Sequence, residues 1–277
     1  MIKSVKHLAE YYLKMEKKEL IELANDSKKY YNTFIKTQKK ANGKVKKREI
    51  TEATGVLKKV HKLIFDNILK LIEFPSPPFI GGLKGKDNVL NAHLHKGKKY
   101  IFCTDLKNFY PHINNKMVYL ALVERGFSAD VASIITKLTT YKGKLIQGGV
   151  NSTHLAYLTL WKTAKQLSNI CEDKQIVFTI YVDDLTFSSV NDFKELSIEL
   201  RNIVINNGFF VNHKKTFFTK GKAEITGVKV GQNTLNVKDD FRNKLNSSQN
   251  LTAKQKEGLQ MYYERVVTYG KTVSKTV

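Results

Sequence analysis

Two periods of hydrophobic residues divide this 277-residue chain into segments that predict helices and strands. A period near 3.6 residues predicts helices over 1–38, 56–73, 115–138, 155–171, 191–207 and 239–269. Runs of β-branched and aromatic residues predict strands over 100–106, near 209–218 and near 223–237, and a β-hairpin over 176–189. A basic loop is expected at 39–48, where Asn42-Gly43 is a turn signal. This order of elements predicts an α+β fold with an antiparallel sheet backed by helices.

The predicted hairpin breaks at two adjacent acids, Asp183 and Asp184, which follow Tyr181 and Val182. An acid pair between strands is often only a solvated turn. The strand at 100–106 also ends on an acid, and alternation puts Asp105 on one face of that strand. If the two strands are neighbours, Asp105 and Asp183 face each other across the sheet and can bind two Mg²⁺ ions. Alternation turns Asp184 to the opposite face, so we expect it to be a weaker ligand, an electrostatic supporter or a hydrogen-bonding turn residue.

The charge of the chain favours an anionic partner. It has 47 Lys and Arg against 25 Asp and Glu, a net charge of +22. Nucleic acid is the commonest large anion, and a membrane surface or simple solubility are the alternatives. Two cysteines, Cys103 and Cys171, lie in apolar segments without zinc spacing, which indicates a reduced, cytoplasmic protein. No secretory signal or membrane-spanning stretch is expected from the sequence.

Several short motifs occur together in a recognisable order. They are Tyr-Val-Asp-Asp at 181–184, Asp105 followed by Phe109-Tyr110, Gln147-Gly148, Val211-Asn212 before Lys214-Lys215-Thr216, Asn91-Ala92-His93-Leu94-His95, and Ile225-Thr226-Gly227. With these motifs the chain resembles reverse transcriptases from about residue 40 onward, and the last two resemble those of the bacterial retron type. The template loop departs from the family, which usually has Pro before Gln-Gly and Ser-Pro soon after. Here those positions read Ile146 and Asn151-Ser152-Thr153.

The resemblance implies a right-hand polymerase fold with fingers, a palm and a short helical thumb. We expect an N-terminal helical region at 1–38, fingers at 39–99, a palm at 100–222 with fingers elements near 115–145, and a primer-grip region and thumb at 223–277. It also implies two Mg²⁺ ions held by Asp105, Asp183 and Asp184, with the backbone carbonyl of Leu106 as a further ligand.

The resemblance assigns roles around the nucleotide. Tyr110 is expected to be the steric gate against ribose, or else a core aromatic, and Gln147 to contact the template–nucleotide pair. Arg48 and Lys46 are expected to contact the triphosphate, although the basic run around them also suits nonspecific nucleic-acid binding. Lys215 is a candidate general acid for pyrophosphate departure, with a surface salt bridge as the alternative.

Other residues are expected to bind RNA. The resemblance gives Asn91 and His95 a part in meeting the partner RNA, although His95 can equally be a hydrogen-bonded structural residue. In the last helix, Lys254 and Arg265 lie among aromatic residues, a pattern typical of an RNA-binding thumb. The opposite face of that helix is expected to pack against the protein.

The implied activity is that of an RNA-directed DNA polymerase. A retron-type enzyme copies a partner noncoding RNA into cDNA, makes branched RNA–DNA and acts in phage defence with an effector protein. Its substrates are deoxynucleoside triphosphates and a structured RNA that serves as template and primer. The alternatives are another defence-associated reverse transcriptase and a catalytically idle RNA-binding scaffold.

Overall fold

The computed structural model describes residues 1–39, 45–247 and 251–271. Its helices are α1 Val5–His7, α2 Lys17–Asp26, α3 Gly55–Asn67, α4 Asn88–Leu94, α5 Phe109–His112, α6 Asn115–Glu124, α7 Ala129–Thr139, α8 Ser152–Asp173, α9 Leu196–Asn206, α10 Asp239–Asn246 and α11 Ala253–Lys271. A π-helical turn follows α1 at Leu8–Leu13, and 3₁₀ turns occupy Ser27–Tyr30, Leu69–Leu71 and His213–Lys215.

The strands are β1 Tyr31–Lys39, β2 Val45–Ala53, β3 Tyr100–Asp105, β4 Thr140–Tyr141, β5 Lys144–Leu145, β6 Val177–Tyr181, β7 Asp184–Ser189, β8 Phe217–Lys220, β9 Ala223–Ile225, β10 Val228–Val230 and β11 Leu235–Val237. The chain forms two compact units. The first comprises Met1–Phe74 and Asn108–Lys162, and the second comprises Pro75–Lys107 and the chain from Thr163 onward.

An antiparallel hairpin of β1 and β2 corrects the sequence prediction for the first unit. The two strands pair from Tyr31 opposite Ala53 to the Lys39–Val45 pair. The predicted helix over 1–38 therefore gives way to a strand from residue 31, because Thr33, Ile35 and Thr37 are β-branched residues at every second position. The predicted loop at 39–48 is strand again from residue 45, and residues 40–44 lie outside the described part.

Helices make up much of the rest of the first unit, and α3 packs against β2 of the hairpin. Leu57, Val60 and Ile64 of α3 are buried, and the helix ends at Asn67 rather than at 73. The predicted helix over 115–138 is two helices, α6 and α7, separated around Gly126, whose φ is +86°. The backbone there adopts a left-handed conformation that favours glycine and interrupts the helix.

A four-stranded antiparallel sheet forms the first layer of the second unit. Its strand order is β6-β7-β3-β8, so β3 is central between β7 and β8. The predicted strand at 100–106 and hairpin at 176–189 are confirmed, while the helix predicted over 191–207 begins only at Leu196. The strand predicted near 209–218 is confined to β8. Buried Phe102, Phe178 and Phe187 stack across neighbouring strands with ring centroids 4.5–5.6 Å apart.

A smaller antiparallel sheet, in the order β11-β10-β9, completes the second unit. Its inward side chains form one buried cluster with residues of α4, α11 and β3, namely Val89, Ala92, Ile101, Ile225, Val228, Val230, Leu235, Val237 and Val266. Helix α4 packs against β10 and α11, and α11 also packs directly against β11. The segment 75–99, which the sequence analysis groups with the fingers, lies in the same unit as the four-stranded sheet.

Candidate active site

The two acids of the hairpin are held by a two-residue turn. Tyr181 pairs with Asp184 across β6 and β7, so Val182 and Asp183 form the turn. Val182 has a φ of +60°, a conformation that β-branched residues rarely adopt. Positive φ at only the first loop residue is the pattern of a type II′ turn, which normally has glycine there. The local strain marks this turn as a site maintained by the surrounding structure.

Three carboxylates meet where this turn joins β3. Asp105 pairs in register with Asp184, and one oxygen from each of Asp105, Asp183 and Asp184 lies within 4.8 Å of the others. The expectation that Asp184 turns to the opposite face is therefore wrong. The turn at Val182 interrupts the alternation on which that expectation depended, and Asp184 begins the new strand directly opposite Asp105.

The segment after α9 holds Asp105 from the other side. Asn212 Nδ2 donates to Asp105 Oδ1 over 3.0 Å, and Lys215 Nζ donates to Oδ2 over 2.5 Å. The Asn212 backbone N–H donates to the Asp105 carbonyl, and the Leu106 N–H donates to the Asp183 carbonyl, each over 2.8 Å. Asp105 is only 4% exposed, so these partners fix the carboxylate in the floor of the site.

The electrostatics of the cluster suit a bound cation. Burial, followed by the charge of Asp183, raises the pKa of Asp184 to about 6. Burial alone would lower the pKa of Lys215, but its hydrogen bond to Asp105 and the nearby carboxylate charges outweigh burial and raise that pKa. Three acids with one ammonium leave excess negative charge in a half-buried site. Hard carboxylate oxygens at this spacing match the ligands that Mg²⁺ prefers.

A glycine presses against the acid-bearing turn. A Cβ added to Gly81 would lie 2.7 Å from the Val182 nitrogen and 2.9 Å from the Tyr181 Cα and carbonyl carbon. Gly81 also donates its N–H to the Ile180 carbonyl over 3.3 Å. Because these neighbours are backbone atoms of the site, only glycine fits here without displacing the turn.

Asn91 and His95 lie inside the protein. Both are 0% exposed, so in this structure neither side chain is accessible to RNA. His95 Nδ1 bonds Ser188 Oγ and Nε2 bonds Thr179 Oγ1, each over 2.7 Å, which joins α4 to β7 and β6. Burial lowers the pKa of His95 to about 3, so the imidazole is neutral at physiological pH. These contacts match the alternative in which His95 is a hydrogen-bonded structural residue.

The turn between β9 and β10 is held by α4. Thr226 and Gly227 have φ of +44° and +91°, as in a type I′ turn. Asn88 Nδ2 donates to the Thr226 carbonyl over 3.1 Å, and Asn91 Nδ2 donates to Thr226 Oγ1 over 3.2 Å. Thr226 and Gly227 line a cleft of about 530 Å³ together with Asp184 and Lys215. The Ile-Thr-Gly motif therefore borders the carboxylate site within the second unit.

Helix α11 presents its basic side chains outward. Lys254 and Arg265 are exposed, and Arg265 pairs with Asp87 at the start of α4 over 2.7 Å. Val266 and the partly buried Tyr262 face the protein. The predicted two-sided character of this helix matches the structure, and contact with RNA stays a prediction.

The remaining predicted residues belong to the first unit. Arg48 is exposed on β2, and the side chain of Lys46 lies outside the described residues. The Gln147 carbonyl accepts the Thr51 N–H over 3.2 Å, which ties the template loop to β2. Gly148 has a φ of +108°. Tyr110 is half-buried in α5, and its hydroxyl lies 3.0 Å from Thr153 Oγ1.

Sequence reasoning missed three residues that shape these sites. Asn212 was part of a matching motif but had no assigned role, and Gly81 and Asn88 had no motif at all. The Gly81-Gly82 pair is the one available signal, because paired glycines often mark a close backbone approach.

No helix of the described residues is long and apolar enough to cross a membrane.

Comparisons with known proteins agree with the site. The model of the family reverse transcriptase (RNA-dependent DNA polymerase) matches residues 37–230. The retron Se72 reverse transcriptase of Salmonella heidelberg is 32% identical over 229 residues, which are 81% of this chain and 58% of the relative. The retron Ec86 reverse transcriptase of Escherichia coli is 27% identical over 208 residues, or 73% and 64% of the two chains. The chain thus spans about three fifths of the length of these relatives.

Solved structures support the fold alone. Apo telomerase from Candida tropicalis superposes with a TM-score of 0.53 at 11% identity, covering 82% of this chain and 50% of that one. Telomerase from Candida albicans in complex with a fragment of telomeric RNA gives 0.52 at 12% identity, covering 74% and 46%. The predicted right-hand polymerase fold is confirmed. On its family match, the chain belongs to the reverse transcriptase family, and the curated relatives that it resembles are bacterial retron reverse transcriptases.

Proposed function

We propose that this protein is an RNA-directed DNA polymerase that copies a partner noncoding RNA into cDNA. The observation that carries the proposal is the cluster of Asp105, Asp183 and Asp184 within 4.8 Å at the junction of β3 and the β6–β7 hairpin. Primer extension from deoxynucleoside triphosphates needs carboxylates grouped in this way. The strained turn at Val182 and the close packing of Gly81 against it support the proposal, because both hold these acids in place.

Two Mg²⁺ ions are the cofactors that we propose for this site. Asp105, Asp183 and Asp184 would hold them, with the Leu106 carbonyl as a further ligand. When bound, such ions activate an attacking hydroxyl and neutralise the charge that develops on the transferred phosphate. The raised pKa of Asp184 supports cation binding, since a cation relieves the repulsion among the acids.

Protein side chains supply the remaining chemistry. Asn212 orients the Asp105 carboxylate through Oδ1. Lys215 keeps a proton on Nζ, because the acids raise its pKa, and this proton can pass to an oxygen of the departing pyrophosphate. The ammonium contacts Asp105 Oδ2, so a cation and Lys215 compete for that oxygen. The proposed general acid and the alternative salt bridge therefore involve the same ammonium group.

Residues of the first unit are proposed to bind the nucleotide. Arg48 and Lys46 would contact the triphosphate, Gln147 the template–nucleotide pair, and Tyr110 the sugar. Gly148 supports the role of the template loop, since a Cβ there would lie 3.0 Å from Ile50 Cγ2.

Residues of the second unit are proposed to bind RNA. Lys254 and Arg265 would contact it directly, because both are exposed on α11. Asn91 and His95 would contribute indirectly by holding the Thr226 turn and the hairpin strands.

Primer extension on an RNA template tests the activity. Asp183→Asn is expected to reduce the extension rate by at least about 10³-fold, because a lost ligand disrupts the metal site. Asp173→Asn, which removes an exposed acid from α8, is the charge-matched control. Full activity of Asp183→Asn would reject the metal site. Inactivity of the wild type with bound RNA would favour the idle scaffold.

The retron assignment needs a different experiment. We propose that the cDNA is branched to the partner RNA, that the protein acts in phage defence with an effector protein, and that it works in the cytoplasm. DNA that copurifies with the expressed protein is treated with ribonuclease and with a debranching enzyme. A mobility shift that needs both treatments supports the branched product. Unbranched cDNA would favour another defence-associated reverse transcriptase.

A further inference from the structure

The ring of Tyr110 is held at both ends. It lies in the four-residue helix α5 beside buried Phe109, with ring centroids 5.5 Å apart and a tilt of 46°. At the other end, the phenolic oxygen lies 3.0 Å from Thr153 Oγ1, which is hydrogen-bond distance for two hydroxyls. The contact joins two segments that are 43 residues apart in sequence.

Thr153 is a rigid anchor for that hydroxyl. It lies in the first turn of α8, a helix of 22 residues. The positions that follow it, Leu155, Ala156 and Tyr157, are each at most 1% exposed. A hydroxyl carried on a buried helix has little freedom to follow a moving partner, so the bond fixes the ring rather than the helix.

The anchoring hydroxyl comes from a departure in sequence. Where the family carries Ser-Pro, this chain has Asn151-Ser152-Thr153. The threonine of this segment offers Tyr110 a hydroxyl partner.

The ordinary alternative for such a threonine is a bond to its own helix. Threonine hydroxyls inside helices often bond the carbonyl three or four residues earlier. Thr159 of the same helix does so, donating to the Ala156 carbonyl over 2.8 Å. Thr153 instead reaches the phenol of Tyr110.

We propose that Thr153 is a positioning residue for sugar discrimination, acting by fixing the ring of Tyr110. This inference rests on the proposed function, in which Tyr110 excludes the ribose 2′-hydroxyl. A steric barrier depends on where its ring stays during the reaction, and a displacement of about 1 Å can change rates strongly. Without the bond to Thr153 the phenolic end of the ring is held less firmly, and the barrier to ribonucleotides is lower.

The test compares kcat/KM for a deoxynucleotide and for the matching ribonucleotide on one RNA template. Thr153→Val keeps the shape and removes the hydroxyl, and Tyr110→Phe removes the other half of the bond. Each is expected to lower the preference for deoxynucleotides by about 3- to 10-fold, the worth of one net hydrogen bond, chiefly through faster ribonucleotide use. The double variant should show no further loss, because both changes remove one interaction.

Two variants serve as controls. Thr153→Ser keeps a hydroxyl and should restore the wild-type preference. Thr159→Val makes the same chemical change on the same helix at a hydroxyl bonded to the helix backbone, and should also keep that preference.

Three outcomes would overturn the inference. The first is a wild-type preference for deoxynucleotides in Thr153→Val. The second is a double variant whose loss of preference is the product of the two single losses, and the third is a change of preference in Thr159→Val as large as that in Thr153→Val. If Tyr110→Ala also leaves the preference unchanged, the assignment of Tyr110 as the barrier fails along with the inference. The polymerase assignment then still depends on Asp183→Asn.

Discussion

Replacing Asp184 by asparagine should stabilise the protein while it disables the site. The pKa of this carboxyl rises from an ordinary 3.8 to about 6 in the folded state, first through burial and then through Asp183. A shift of roughly 2 units corresponds to about 3 kcal/mol, at about 1.4 kcal/mol for each unit. Asparagine has nearly the same shape and no charge, so it removes that cost.

The pH dependence of this gain in stability follows from the linkage between protonation of the carboxyl and folding. Below the unfolded pKa of 3.8 the carboxyl is protonated in both states and costs nothing. As the pH rises to about 6, the unfolded state loses this proton first, so the ionised group destabilises the folded state. The advantage of Asp184→Asn should therefore be only about 0.5 kcal/mol near about pH 4 and reach up to about 3 kcal/mol above about pH 6.

Thermal unfolding in the presence of a chelator measures this effect. At about 2–4 °C for each kcal/mol, the variant should unfold about 6–12 °C higher than wild type near about pH 7.5. Added Mg²⁺ should stabilise the wild type more than the variant, since a cation also relieves the repulsion. Asp173→Asn, at an exposed position, should change the midpoint little. Equal midpoints for Asp184→Asn and wild type near about pH 7.5, or an offset of undiminished size at about pH 4, would refute the reasoning.

Three further substitutions test neighbouring contacts. Gly81→Ala should reduce primer extension by about 10-fold or more, because its Cβ would meet the Val182 nitrogen at 2.7 Å and displace the turn. Lys215→Met should slow extension by about 10²-fold in a rate assay, yet lower the Mg²⁺ concentration needed for half-maximal rate, because the ammonium no longer competes for Asp105. His95→Leu should lower the free energy of unfolding by about 2–4 kcal/mol in denaturant titrations above about pH 6.5, since it leaves two buried hydroxyls without a partner. This penalty should shrink toward about pH 4. Below about pH 6.5 the histidine is protonated in the unfolded state but stays neutral in the folded state, so wild type loses stability and the leucine variant does not.

Each of these predictions has a contrary outcome. Gly258 of α11 has open space around its Cβ position, so Gly258→Ala should keep full activity and serves as the control for Gly81→Ala. Wild-type activity of Gly81→Ala would show that the turn tolerates displacement. An unchanged Mg²⁺ requirement in Lys215→Met would separate that residue from the metal site. A penalty for His95→Leu that does not vary with pH would contradict a neutral imidazole.

The chemistry of the site could be predicted from sequence more fully than its geometry. Runs of strong strand-forming residues end at Asp105 and around Asp183. The structure confirms strands that end at or beside these acids. The position of Asp184 could not be predicted, because it depends on one backbone angle at Val182 that alternation ignores. The partners of His95 depend on a packing of α4 against strands more than 80 residues away.

Local patterns also failed where tertiary pairing decides the structure. The helix predicted from the N-terminus extends over residues 31–38, but their alternate β-branched residues pair with β2 and form a strand. The contact of Gly81 with Val182 joins distant segments, and the pair Gly81-Gly82 does not indicate which segment lies against it.

The order of strands in the four-stranded sheet has a consequence for synthesis on the ribosome. Strand β3 is the third element of that sheet in space but the first in sequence, and both neighbours, β7 and β8, are made only after residue 183. At about 5–20 residues per second, β3 waits roughly 4–16 s for β7. During that time its two edges are unpaired and available to other chains.

Asp105 is the last residue of β3, the strand that is made before its neighbours. The acid therefore has no partner in Asp184 until β7 has emerged and none in Lys215 until the chain beyond residue 215 has emerged, so the complete site cannot assemble before then. Slower elongation between β3 and β7 would lengthen the vulnerable interval. Recovery of soluble protein should consequently depend on the codons of this segment more than on those of the chain after β8.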